Sequence, residues 1–286
     1  MQTRRLGADG PEVSAIALGG MLLSITGRPP EDQSLAVIHA ALEAGVTLID
    51  TADAYSVDDR DASHNERLVA KALRGRRERV VVGTKVGCRR PGGAWTVDAR
   101  PEHLVEAAHR CLDSLAVDTI DLLQLHAPDV RVPFEESVGA LARLREQGKV
   151  RLVGLCNVTV EQVERARRVT PIACVQNRWN VNDRRPEADG MLDYCASNGL
   201  AFLAYSPFGG TLGAPSLGTH GRIIEEARRR RVSVYRLLLA WMIARCPAAI
   251  PIAGARRVES IEDSAAAGSL VIPPADVRVI EATLKA

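Results

Sequence analysis

The feature that most restricts how this chain can fold is an alternation repeated eight times along its 286 residues: a short apolar run, a loop, then a segment with helical period. Apolar runs are predicted as strands at Ala15–Leu18, Thr47–Asp50, Val80–Lys85, Ile120–His126, Arg151–Leu155, Ile172–Gln176, Ala201–Tyr205 and Ala249–Ile252. Between them, stretches such as 31–43, 100–115, 133–147 and 187–198 return apolar residues every three to four positions, as helices do. Strand and helix in strict turn build a parallel sheet with helices outside it. Eight units with no linker or shift in composition predict an α/β fold, a (β/α)8 TIM barrel spanning 1–286 as one domain. An open doubly wound sheet is the competitor, but it would carry Gly-x-Gly-x-x-Gly after its first strand, and Gly19-Gly20-Met21 does not supply it. Ahead of the first strand, Ala8-Asp-Gly-Pro11 is a turn signal between two short extended pieces, so a small N-terminal β-hairpin is expected to cap one end.

Bulk properties narrow the function. An apolar content of 46% is enough for a large core, and a formal charge of +2 argues against a nucleic-acid partner. No run approaches the roughly 20 apolar residues of a membrane helix. The start Met1-Gln-Thr-Arg-Arg5 lacks the apolar core of a signal peptide, so a cytoplasmic protein is expected. The six cysteines contain no Cys-x-x-Cys pair and read as reduced core thiols, and no metal site is expected.

In a parallel barrel the carboxyl ends of the strands converge on one rim, where sites of this fold lie. Asp50 ends the second strand with Tyr55 five residues on, Lys85 ends the third, and His126 ends the fourth. With these positions the sequence resembles the aldo-keto reductase family over nearly the whole chain. The matching elements are Gly45-Val-Thr-Leu-Ile-Asp-Thr-Ala52 with Tyr55, Asn65-Glu66, Thr84-Lys85, Leu125-His126, Gly148-Lys-Val-Arg-Leu-Val-Gly-Leu-Cys-Asn157, Val175-Gln-Asn177 and Ala204-Tyr-Ser-Pro207. The resemblance implies a barrel that binds NADP(H), with NADH also possible, and reduces aldehydes or ketones. Asp50, Tyr55, Lys85 and His126 match the family's catalytic tetrad. Hydride delivery to a carbonyl leaves an alkoxide that needs a proton, and a phenol is a usable acid once tuned. Tyr55 is then that acid, Lys85 is expected to depress its pKa, Asp50 to hold the lysine, and His126 to orient the carbonyl.

The resemblance also assigns a cofactor side. Asn157 and Gln176 offer amides to the nicotinamide carboxamide, and Tyr205 offers a ring face. Gly20, Met21 and Asp50 line the first strands' mouths, and the backbone of Ser206, Pro207, Phe208 and Gly209 through Thr211 passes the pyrophosphate. Gly254-Ala-Arg-Arg257 precedes a helix after the last strand, so Arg256 or Arg257 is expected to pair with a 2′-phosphate. Two departures bear on this: Cys156 stands where the family has serine, and Ser260 and Ser264 stand where it has other adenosine-side residues.

Substrate contacts are expected from Tyr55, Trp95 and His126, with polar loops at 56–63, 87–98 and 128–133. Few aromatics and a short tail after Pro273 argue against a steroid-sized pocket and for a small polar aldehyde or ketone; residues 151–177 together with Tyr205-Ser-Pro-Phe-Gly-Gly210 look like the pyridoxal-reductase-like bacterial branch. Two rivals are a cofactor-binding regulatory subunit with little turnover, as channel β-subunits resemble this family, and a barrel isomerase or lyase on phosphorylated substrates. The second leaves Tyr55 and the paired amides unexplained. The family leans towards monomers.

Overall fold

The structure, a computed structural model, describes residues 1–77, 80–210 and 221–284. Strands β1 (Thr3–Arg5) and β2 (Glu12–Ser14) pair antiparallel as the expected hairpin. The barrel strands follow: β3 (Ala17–Gly19), β4 (Leu48–Asp50), β5 (Val81–Val86), then, past a ribbon of β6 (Cys88–Arg89) and β7 (Thr96–Val97), β8 (Ile120–Leu125), β9 (Val150–Cys156), β10 (Cys174–Arg178), β11 (Ala201–Tyr205) and β12 (Ala249–Gly254). All eight barrel pairings are parallel, and β12 closes on β3 through Ile252 opposite Ala17 and Gly254 opposite Gly19.

Two apolar layers follow from period-two alternation of the strand residues. Inward-facing Ala17, Leu48, Leu122, Leu152, Leu203, Ile250 and Ile252 fill the barrel, and Leu6 and Val13 of the hairpin join that cluster from the N-terminal end. The hairpin is thus a plug, which leaves the carboxyl rim as the open end. Outward-facing residues such as Ile49, Val82, Leu123, Val153 and Phe202 pack beneath the helices, with Trp179 and Trp241 fully buried among them.

Helices Glu31–Glu43, Pro101–Leu115 and Phe134–Glu146 fall within one residue of expectation at each end, and Val160–Arg167 follows β9. The predicted helix over 187–198 is instead broken into Arg185–Ala188 and Met191–Ser197, because Gly190 adopts φ +77°, a left-handed conformation that interrupts the ladder. The segment after Pro273 forms the helix Pro274–Leu284, with Arg230 bonded to Asp276 at 2.8 Å. The β6–β7 ribbon was not legible, since its strands are only two residues long.

Candidate active site

The carboxyl ends of β4 and β5, with the loops after β4 and β8, bring Asp50, Lys85, Tyr55 and His126 to one place. Lys85, fully buried, donates from Nζ to Asp50 Oδ2 at 2.6 Å, to the Thr51 carbonyl at 2.9 Å and to the Tyr55 hydroxyl at 2.9 Å. Three donors and three acceptors match one another, so the ammonium is fully satisfied. Asp50 takes a second bond on Oδ1 from Gln176 Nε2 at 2.8 Å. His126 is half-buried on the other side of the phenol, its ring 5.8 Å from that of Tyr55, and Trp95 from the ribbon loop stands 6.4 Å from Tyr55 and 6.0 Å from His126. Each of these three pairs is edge-to-face, and together they form a wall beside the phenol hydroxyl.

The electrostatics correct one expectation. Lys85 does pull the Tyr55 pKa down, but burial outweighs it and the phenol lies above its ordinary value. Burial acts to lower the Lys85 pKa, yet Asp50 and Tyr55 overcome this and raise it, so the ammonium stays charged. Burial, then Lys85, holds His126 well below the usual imidazole range, so it is neutral at physiological pH. The site therefore presents a protonated phenol, a neutral imidazole and one charged lysine.

Opposite the tetrad, Tyr205 ends β11 and donates its hydroxyl to Asn157 Oδ1 at 2.8 Å, while Asn157 Nδ2 donates to the His126 carbonyl at 2.9 Å. Each Asn157 amide atom keeps one more bonding position after this. Asn157 and Ser206 hold φ +59° and +51°, conformations costing about 1 kcal/mol or more each, and they flank the cleft mouth. Gln176 Oε1 accepts no protein hydrogen bond among the described residues, so its carbonyl end is unspent. Gly20 lies against the Asn65 amide, which bonds its carbonyl at 2.9 Å; a Cβ there would meet Asn65 Oδ1 at 2.1 Å. Met21 opens the short turn Met21–Leu23 beside it.

Some expected cofactor residues are placed differently. Cys156 is buried and its thiol faces Gln124 Oε1 at 3.5 Å, inside the barrel, where burial pushes its pKa well up. Gln124, which also contacts Gln176 at 3.2 Å and Cys174, was missed, although a lone amide in the apolar run Ile120–Leu125 was a visible signal. Arg256 and Arg257 are exposed, with no acidic partner among the described residues. Arg256 Nε reaches the Leu22 carbonyl at 3.5 Å, whereas Arg257 precedes the helix Val258–Ala266 with no side-chain cap, so the first N–H groups of that helix stay open. Ser260 is half-buried and Ser264 buried on that helix. Phe208 packs edge-on against Tyr235 at 5.1 Å, beside Ser206, Pro207 and Gly209; Thr211 lies outside the described residues.

Beneath the tetrad, Glu66 and Asp53 are buried, and Glu66 Oε2 and Asp53 Oδ1 have no partner among the described residues. Burial raises the pKa of both. A carboxyl whose folded pKa is raised binds its proton more tightly when folded, so stability falls as pH rises from the unfolded value towards the folded one. Glu66→Gln removes that loss while keeping the carbonyl that accepts from Thr84. The variant is expected to melt about 3 °C above the parent at pH 8 and to show a smaller gain at pH 5, read by thermal unfolding at both values.

The Aldo/keto reductase family model matches residues 15–285. The chain belongs to the aldo/keto reductase family. Among its relatives, a probable aldo-keto reductase 1 of Glycine max is 30% identical over 310 residues, covering 98% of this chain and 88% of that protein. A glycerol dehydrogenase of Gluconobacter oxydans superposes with TM-score 0.85 at 27% identity, covering 99% of this chain and 94% of that one. An aldo-keto reductase from Klebsiella pneumoniae, solved in complex with NADPH, superposes with TM-score 0.83 at 28% identity, covering 99% of this aldo/keto reductase and 95% of its own chain. Among the described residues of this family member, no helix is long and apolar enough to cross a membrane, and no cluster of metal-ligating side chains occurs.

Proposed function

We propose that this protein is an NADP(H)-dependent oxidoreductase that reduces the carbonyl of a small polar aldehyde or ketone to an alcohol, as one domain with Asp50, Tyr55, Lys85 and His126 as the catalytic set. The observation that carries the reading is a buried, fully bonded Lys85 touching the hydroxyl of a buried Tyr55 at the rim of the barrel. A structural lysine would satisfy itself on carboxylates and carbonyls; a bond to a phenol facing a cleft is what proton donation needs.

The residues present fit the dinucleotide. The unspent Gln176 carbonyl and the remaining positions on Asn157 suit a carboxamide, Tyr205 offers a ring face, Gly20 lets the backbone approach, and Arg257 is free for a phosphate. Bound NADPH supplies a hydride to the carbonyl carbon. His126, as a neutral N–H donor, holds the carbonyl oxygen towards Tyr55, and Tyr55 gives that oxygen its proton. The phenolate left behind is stabilised by Lys85 Nζ, which Asp50 keeps charged and in place. The wall of Trp95, Tyr55 and His126, half of Trp95 being open to solvent at 48% exposure, suits a short flat carbonyl compound rather than a large rigid one. The glycerol dehydrogenase among the structural relatives is consistent with a small polyol-derived substrate.

Fluorescence titration with NADPH and NADH, followed by loss of nicotinamide absorbance with a panel of short aldehydes including pyridoxal, tests the reading. Saturable NADPH binding with turnover is expected; no binding of either nucleotide would sink it. Arg257→Ala is expected to raise KM for NADPH about 10- to 100-fold by deleting a charge-assisted phosphate contact, with KM for NADH and kcat unchanged. An equal loss for both nucleotides would remove Arg257 from phosphate recognition.

A further inference from the structure

A second cleft, of about 470 Å³, opens beside the substrate wall between the loop after β4, the β6 end of the ribbon and the helix Pro101–Leu115. Its lining includes Asp53, Arg89, Arg90, Arg100, His103 and Arg110. Arg90 is the anomaly. It is only 6% exposed, forms no ion pair among the described residues, leaves Nε without a partner, and has one long contact from Nη2 to the Val57 carbonyl at 3.4 Å. A buried guanidinium with no counter-ion is strongly unfavourable, and such charges are normally paired. Two more buried atoms without partners, Asp53 Oδ1 and His103 Nε2, belong to the same lining.

Two of the other arginines there are paired. Arg89 pairs with Asp59 at 3.2 Å, and Arg100 forks onto Asp98 at 2.8 and 2.7 Å. Asp59 is further held by the Arg90 backbone N–H at 2.7 Å, and Glu106, the remaining acid, is exposed. Arg110 is exposed and forms no ion pair among the described residues. The cleft therefore offers two unpaired guanidinium groups from different elements, with a carboxyl and an imidazole at its floor.

We propose that this cleft binds a phosphate-bearing anion, held by Arg90 and Arg110, with Asp53 and His103 completing its hydrogen bonds. Guanidinium groups recognise phosphate oxygens through their paired N–H donors, and two of them exceed what one carboxylate needs. Asp53 suits an anion because burial raises its pKa well above the usual carboxyl value, which favours the form that donates an O–H. The Arg90 guanidinium also lies 4.4 Å from the Trp95 ring, so occupancy is felt at the substrate wall. That consequence rests on the reductase reading; the binding does not.

Calorimetric titration of the NADP+-saturated protein with inorganic phosphate and with glycerol 3-phosphate, at constant ionic strength, reads binding without turnover. One saturable site is expected. Tighter binding of glycerol 3-phosphate identifies a phosphate ester as the ligand class, and equal binding identifies the phosphate group alone. Arg110→Ala is expected to weaken it about tenfold or more, and Arg90→Met to abolish it while raising the melting temperature of the free protein, since an unpaired buried charge is removed. Arg151→Ala, an exposed side chain near the start of β9 and so at the opposite end of the barrel from the rim, is expected to leave the isotherm unchanged. No saturable heat with either anion, an isotherm that survives Arg110→Ala, or one lost with Arg151→Ala would overturn the assignment. Should Arg90→Met fail to fold, Arg110→Ala, which changes only an exposed side chain, decides it.

Discussion

Tyr55→Phe is expected to lower kcat for aldehyde reduction by about 10²- to 10⁴-fold, with little change in NADPH affinity, because it deletes the proton donor and keeps the ring. The loss corresponds to roughly 3–5 kcal/mol of barrier. The phenyl ring retains its edge contacts with Trp95 and His126, and Lys85 keeps Asp50 and the Thr51 carbonyl, so the variant should fold and bind nucleotide. Normal turnover in a folded, nucleotide-binding Tyr55→Phe protein would exclude Tyr55 as the acid. The pH profile supplies an independent check. Burial raises the phenol above its ordinary value of 10.0 in spite of Lys85, so the reactive protonated form persists through the neutral and mildly alkaline range. His126, held well below its ordinary value of 6.5, is neutral across the same range. Reduction is therefore expected to run flat from neutrality to about pH 9, with no alkaline limb near pH 8.

Lys85→Met is expected to damage both stability and turnover. It strips the buried Asp50 carboxylate of its cation and leaves it on Gln176 alone, a loss of about 3–5 kcal/mol, or a fall in melting temperature of roughly 10 °C. Adding Asp50→Leu removes the stranded charge, so the double variant should regain most of that stability while staying inactive. Stability and activity then separate: the pair is dispensable for folding once both members are gone, and indispensable for holding a charge beside Tyr55. A double variant as unstable as Lys85→Met would show that Asp50 carries the fold through other contacts. Recovery of turnover would remove Lys85 from the chemistry.

Much of the site was legible because a parallel barrel converts sequence position into location. Asp50, Lys85 and His126 each stand at the end of an apolar strand run, so the closing of eight strands brings them to one rim whatever the intervening helices contain. Tyr55 follows from the short tether to Asp50. The break at Gly190 was less legible, because a glycine in a helical pattern is compatible with continuing the helix. The ribbon β6–β7 was hidden by its length, and with it the way Arg90 and Trp95 are stacked against the wall.

The sequence alone determined the order of strands and helices, the hairpin plug and the identity of the rim residues, since these depend on local period and chain order. Tertiary structure decided the balance of charge. Lys85 and Tyr55 read from sequence as a cation depressing a phenol, but the outcome depends on how much water the fold removes from both, and here burial prevails. The same holds for Cys156, directed inward to Gln124, and for Arg90, whose missing counter-ion no spacing could show. Desolvation and pairing are sums over neighbours from distant parts of the chain, and those neighbours exist only once the barrel has closed.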